Sequence, residues 1–349
     1  MKITQIHETK ILASRGNETI KVALTLDIGI SATALVPAGI SAGKYEKRNV
    51  SPNEAIVEIE NIKQDLLGRD WDQQTLDAFL ESKNLGGNTS LSISATFWKA
   101  TRVIGHTYTD LHFPQLLLLL FEGAKHGNPS LWMQEFTVIE SSLQQAIADF
   151  RTMRTYLEEN HIESTVGAEG GFSPNIFNDQ AALDTITKVL PDKQIALDAA
   201  SSFTGIGGIN YHYILDHYPI ASLEDPFSDE QWEEWKSFYQ RYSSKILIVG
   251  DDLTVTNPER IQRAVDEKAI NAVIIKPNQN GTISGTLKAV EVARKVGLKV
   301  IVSHRAEETS DDWIVDFALQ VKADYVKFGG MDRGERVAKY NRLMELGMA

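Results

Sequence analysis

Six short runs decide the architecture: Ile195-Ala196-Leu197-Asp198, Ile220-Ala221-Ser222-Leu223-Glu224, Ile246 through Gly250 followed by Asp251, Val273-Ile274-Ile275-Lys276, Val300-Ile301-Val302-Ser303-His304-Arg305 and Tyr325-Val326-Lys327. Each is an apolar stretch of strand length that stops at a charged residue and gives way to a helical pattern. The stops at 198, 224, 251, 276, 304 and 327 are spaced by 26, 27, 25, 28 and 23 positions, about one βα unit each. Near-continuous apolar strands alternating with helices imply a parallel sheet covered on both faces. The regular period predicts a (β/α)8-type barrel.

Upstream the pattern is different. Ile20, Val22, Leu24 and Leu26 alternate with polar or small neighbours, the period of a half-buried strand, and a second extended run ends at Val36-Pro37. Pro37 to Gly43 is too rich in glycine and small residues for a regular element and reads as a mobile loop. Ser51-Pro52-Asn53-Glu54 carries an N-cap, a proline at the first helical position and a glutamate at the third, so a helix runs from there to Gly68. Further helices are expected over about 72–82 and 90–104. Strands followed by helices describe a smaller α+β N-terminal domain over residues 1–112, with the barrel over 113–349. The run Phe113 to Phe121, with five consecutive leucines, is far short of the roughly 20 residues a bilayer crossing needs and reads as a buried strand.

With 349 residues, 42% of them apolar, the chain can bury a large core, so disorder is not expected. A net charge of -12 argues against a nucleic-acid surface and is compatible with a divalent cation. The absence of cysteine excludes disulfides, thiolate zinc sites and a cysteine nucleophile. The first residues lack the apolar core of a signal peptide, and cytoplasmic residence is the simplest expectation.

Side chains at the C-terminal ends of barrel strands converge on one mouth, so Asp198, Glu224, Asp251, Lys276, Arg305 and Lys327 are expected to share one space. Taken singly, each acid could equally cap a helix or pair with a neighbouring cation. Three in register with the barrel period favour a site for a hard cation, and oxygen-only ligands suit Mg²⁺. Lys276 beside such a site and other cations is expected to have its ammonium form disfavoured and to serve as a base. The plainer alternative is a salt-bridged lysine closing the mouth. Arg305 offers a planar donor fork for phosphate or carboxylate, with His304 beside it.

At these same residues the chain resembles the enolase family, in an ordered set of matches over most of its length. The set comprises Ser14-Arg15-Gly16-Asn17, the Pro37 to Gly43 loop, Gln134-Glu135-Phe136, Glu169-Gly170-Gly171, Leu197-Asp198, Glu224-Asp225-Pro226-Phe227, Asp251 to Pro258, Lys276, Ser303-His304-Arg305 and Glu335 to Asn341. The resemblance implies dehydration of 2-phosphoglycerate to phosphoenolpyruvate, with the superfamily's known pairing of a Lys or His base with one or two Mg²⁺ ions. It implies that Asp198, Glu224 and Asp251 hold the first Mg²⁺ and that Ser41 joins the second as its loop closes. Lys276 would take the C2 proton. Glu169, with Glu135 nearby, would assist departure of the C3 hydroxyl. Lys327 would contact the substrate carboxylate, and His126, His304 and Arg305 would border the phosphate and leaving-group side. A homo-oligomer, a dimer in the family, is implied as well.

The departures are specific. The chain is shorter than a usual enolase, with losses in the N-terminal domain and around Ser201 to Tyr213. Ala306 replaces a serine that helps bind phosphate, Ala168 replaces an aspartate before Glu169, the loop's first serine is Ala38, and Phe328-Gly329-Gly330-Met331-Asp332 replaces a TGAP-type turn. These changes fall beside the phosphate and the general acid. Two other readings follow: a superfamily enzyme that enolises a different carboxylate, or an enolase-like binding protein with little catalysis. Retention of three mutually repelling acids with both lysines opposes the latter.

Overall fold

The computed structural model describes residues 1–37, 43–102, 112–205 and 209–348. It opens with an antiparallel sheet of β1 (Ile3–Leu12), β2 (Glu18–Leu26) and β3 (Ser31–Leu35), paired in that order. Ile20, Val22, Leu24 and Leu26 form its buried face, as the alternation predicts. Against it lie α1 (Pro52–Leu66), α2 (Gln73–Ser82) and α3 (Gly87–Arg102). The capping box of α1 is formed: Glu54 N donates to Ser51 Oγ at 3.2 Å and Ser51 N to Glu54 Oε2 at 2.9 Å. Helix α3 starts at Gly87, earlier than expected. It is buried almost all round, with Ser90, Ser92 and Ser94 inaccessible, so no amphipathic stripe marks where it begins.

The second sheet comprises β4 (Gln115–Glu122), β5 (Glu135–Glu140), β6 (Ser164–Val166), β7 (Phe172–Pro174), β8 (Ile195–Asp198), β9 (Ile220–Glu224), β10 (Leu247–Gly250), β11 (Ala272–Ile275), β12 (Lys299–Ser303) and β13 (Tyr325–Lys327). Eight of these close a barrel in the order β4-β5-β8-β9-β10-β11-β12-β13, with β13 pairing back to β4. The five-leucine run is β4. A hairpin of β6 and β7 branches from the end of β4. Leu117, Ala196, Val249, Ala272, Ile274 and Ile301 form a separate apolar cluster drawn from five of the ring strands.

The ring is not wholly parallel. Strand β5 runs antiparallel to both β4 and β8. The segment joining β4 to β5 contains no helix, and a parallel pair needs a long crossover that this connection does not provide. As a result, the first residue of β5 reaches the end of the barrel where β8 and β9 finish. Glu122, Glu135, Asp198 and Glu224 become successive register partners across β4, β5, β8 and β9.

The N-terminal elements are fastened to the barrel near that mouth. Ser14 N donates to Glu308 O at 2.7 Å and Glu308 N returns a bond to Ser14 Oγ at 3.0 Å, so the Ser14-Arg15-Gly16-Asn17 segment braces the turn after Arg305. Lys99 pairs with Asp311 at 2.7 Å, and Lys47 N donates to Gln279 O at 2.9 Å. The expected boundary at His112 adjoins residues 103–111, which lie outside the described residues. Among the described residues no helix is long and apolar enough to cross a membrane.

Candidate active site

Every strand-end residue singled out from the period reaches the barrel mouth. Glu135, Asp198, Asp251, Lys276, His304, Arg305 and Lys327 line one cavity together with His126 and Glu169, and Glu224 adjoins it through Lys327. Ser41 lies outside the described residues.

The acids are held by two lysines, Lys327 buried and Lys276 partly so. Lys327 Nζ donates to Asp198 Oδ2 at 2.9 Å and to Glu224 at 2.9 and 3.0 Å, and it lies 3.2 Å from Glu135 Oε1. Burial opposes its charge, but Asp198, Glu135 and Glu224 outweigh that and hold its pKa well above the ordinary lysine value. Burial and the Asp198 carboxylate push Glu224 up to about 8 despite Lys327, a sign that negative charge is in surplus here. Lys276 pairs with Asp251 Oδ2. A relay orients this pair: Lys276 N donates to Thr256 Oγ1 (2.9 Å), Thr256 Oγ1 to Gln279 Oε1 (2.6 Å), and Gln279 Nε2 to Asp251 Oδ1 (2.9 Å).

The ammonium of Lys276 is therefore favoured, contrary to the expectation for a ready base. Burial alone would lower its pKa, as would the facing Arg305 and Lys327, but the Asp251 carboxylate raises it. With Asp251 free, the plainer alternative of a salt-bridged lysine is the arrangement present.

Among the described residues, Asp198, Glu224 and Asp251 do not together form one of the acid and histidine groups whose ligand atoms all lie within 4.8 Å of one another. The groups that do are Asp225-Asp251-Asp252, Glu135-Glu169-His304 and Glu122-His126-Glu169. Asp225 is chiefly a brace, accepting from Asp251 N at 3.0 Å and Asp252 N at 2.8 Å. Burial and Asp251 push the neighbouring Asp252 carboxyl up to about 8. The consecutive acids 224–225 and 251–252 were visible in the sequence, but nothing there separated the inward member from the brace.

Elsewhere in the same cavity lining, Glu169 stands between two imidazoles, Oε1 at 3.4 Å from His126 Nδ1 and Oε2 at 3.4 Å from His304 Nε2. Burial would raise its carboxyl, yet His126 and His304 hold it well below the ordinary range. Burial opposes charge on His126, but Glu169 raises its pKa. Burial raises Glu135 well above the carboxylate range, with Glu169, Asp198 and Glu224 adding to it and Lys327 opposing. The backbone of Glu169 is positioned by Glu122, whose carboxylate accepts from Glu169 N at 2.9 Å and Gly171 N at 2.7 Å. Gly329 closes this wall. Its φ is +85°, and a Cβ there would lie 2.4 Å from Glu169 O and 3.0 Å from His304 Cε1, so the turn after Lys327 requires glycine.

Burial, with repulsion from Glu169, pushes Glu122 from an ordinary 4.5 to about 8. The folded protein then binds an extra proton between those values, so this group's contribution to stability falls as pH rises from about 4.5 through 8. Glu122→Gln should remove that dependence. In urea melts it should gain on the order of 4 kcal/mol over the wild type between pH 5 and 9.

Arg305 is already engaged. Its guanidinium donates to Glu46 Oε2 at 2.9 Å and Oε1 at 3.3 Å, and to Asn278 Oδ1 at 3.2 Å. Sequence reasoning missed Glu46, a lone acid in an irregular segment of the N-terminal part with no period to mark it. It also missed Glu122, whose only signal was a charge closing the apolar run of β4. Ala306 contributes its carbonyl, which accepts from Arg336 at 2.7 Å, and Ala168 N donates to His126 O at 2.8 Å.

The N-terminal domain of enolase, as a family model, matches residues 3–103, and the enolase C-terminal TIM barrel domain matches residues 111–206 and 208–348. The enolase of Helicobacter pylori strain P12 is 31% identical over a 408-residue alignment covering 99% of this chain and 96% of that protein, and the enolase of strain J99 is 32% identical with the same coverage. With 349 residues spread over 408 aligned positions, the shortening lies in internal gaps. Barrel, N-terminal sheet and sequence agree: the chain belongs to the enolase family and is a lyase of the phosphopyruvate hydratase type.

Proposed function

We propose that the chain dehydrates 2-phosphoglycerate to phosphoenolpyruvate with the help of Mg²⁺. The observation that carries this reading is that one cavity is lined both by Lys276 among the strand-end carboxylates and by Glu169 between two imidazoles. A base and an acid lining the same pocket are what removal of a proton and a hydroxyl from adjacent carbons requires.

The donor set fits a hard divalent cation. Glu135, Asp198, Glu224 and Asp251 share two lysines, with Asp252 adjacent, Glu135 Oε2 has no hydrogen-bond partner, and the chain has no cysteine thiolate to offer. Asp198, Glu224 and Asp251 would hold the ion, joined by Ser41 for a second. When bound, Mg²⁺ would neutralise the charge that develops on the substrate carboxylate as the C2 proton leaves.

Lys276 can act as a base only once Asp251 is engaged elsewhere. Arg305 and Lys327, which face it, then favour release of its proton. Lys327 orients the substrate carboxylate. Glu169, ionised beside a readily protonated His126, stores with it the proton needed by the departing C3 hydroxyl, and Glu135 supports that side as a buried neutral acid. Substrate phosphate would compete with Glu46 for the Arg305 fork, with His304 alongside. The product is followed by the ultraviolet absorbance of phosphoenolpyruvate. The reading expects turnover that chelation abolishes and added Mg²⁺ restores. Mg²⁺ binding with no turnover would favour a different carboxylate substrate, the reading to which Ala306 points.

A further inference from the structure

Among the described residues Arg336 is the largest charged side chain that is wholly buried, and it directs its donors at neutral acceptors. One terminal nitrogen, Nη1, donates to His304 Nδ1 at 2.7 Å and to Arg305 O at 2.6 Å. The other, Nη2, donates to Ala306 O at 2.7 Å. Its nearest carboxylate, Glu335, is 3.6 Å from Nε, and neither atom of that pair makes a hydrogen bond. A buried guanidinium without a bonded counter-charge is costly, so its geometry calls for an explanation other than pairing.

A guanidinium donates and cannot accept. His304 Nδ1 must therefore offer its lone pair, and the ring proton sits on Nε2, the nitrogen 3.4 Å from Glu169 Oε2. An imidazole so held already has its proton on the Glu169 side and cannot receive another there. His126 faces the same carboxylate through Nδ1 under no such constraint, and that atom has no hydrogen-bond partner.

We propose that Arg336 is a positioning residue that locks His304 as the neutral Nε2–H tautomer aimed at Glu169, so that proton exchange at Glu169 runs through His126. This rests on the proposed role of Glu169 in the reaction, but the tautomer itself does not. The groups facing His304 are consistent with the lock: burial and Arg336 lower its pKa to about 4, while Glu169 and Glu308 oppose them.

Long-range ¹H–¹⁵N spectra of the histidine-labelled full chain without substrate test it, with the His304 signals identified by their loss in His304→Gln. Wild-type His304 should show a protonated Nε2 and bare Nδ1 across pH 5.5–8.5, with no titration. In Arg336→Met both tautomers should appear and the ring should take up a proton at a higher pH than in the wild type. Arg336→Lys should restore most of the lock. The pH profile of kcat/KM should gain the new ionisation in Arg336→Met alone. A wild-type His304 carrying its proton on Nδ1, or titrating between pH 6 and 7, would overturn the proposal even if Arg336→Met fails to fold. Failure of turnover with the tautomer intact would count against the reaction and not against Arg336.

Discussion

Lys276→Met should lower kcat by about 10³-fold while leaving the fold intact, the scale expected for loss of a positioned general base. The substitution removes one partner of the Lys276–Asp251 pair, but Asp251 keeps its bond from Gln279 Nε2. The side chain is nearly buried and of similar length to methionine, so packing changes little. Stopped assays and thermal melts check both halves of the statement. Lys276→Arg separates charge from basicity: it can keep the ion pair, yet a guanidinium does not give up its proton at workable pH. Its activity should be as low as that of the methionine variant, with a melting temperature closer to wild type.

Lys327→Met should have the largest effect on stability. Lys327 is 3% exposed and is shared by Asp198, Glu224 and Glu135. Removing it leaves three buried carboxylates without their cation, and breaking a buried pair in this way costs about 3–5 kcal/mol. The pH dependence has a definite sign. Without Lys327 the Glu135 and Glu224 carboxyls rise further above their unfolded values, the folded state binds more protons, and stability falls more steeply as pH rises from about 5 to 9. Urea midpoints at pH 6 and pH 9, in chelator, should show a greater loss at the higher pH. Added Mg²⁺ should recover part of it, because a ligand that binds only the folded state stabilises by mass action.

Much of this site is legible in the sequence because barrel geometry ties chemistry to period. An apolar strand ends where its side chains leave the core for the mouth, so the charges at 198, 224, 251, 276, 304 and 327 mark both the strand ends and the site lining. The same logic fails at β5, whose reversed direction puts the functional residue, Glu135, at the strand's beginning. Glu169 lies between β6 and β7, a hairpin branching from the ring, and His126 follows β4 in the link to β5. Their places in the site came only from family resemblance. The ionisation of Lys276 depends on whether Asp251 is free or engaged, which spacing does not encode. Glu46 and Arg336 act across large sequence separations on Arg305 and His304, and no local pattern marks such partners.

The central claim is that Lys276 removes the C2 proton of 2-phosphoglycerate and that Glu169 serves the separate departure of the hydroxyl. Exchange of the C2 hydrogen with solvent deuterium, followed by NMR in the presence of Mg²⁺, separates the two steps. Wild type and Glu169→Gln should both exchange that hydrogen, the latter without forming phosphoenolpyruvate, while Lys276→Met should leave it in place. Exchange persisting at the wild-type rate in Lys276→Met would contradict the account.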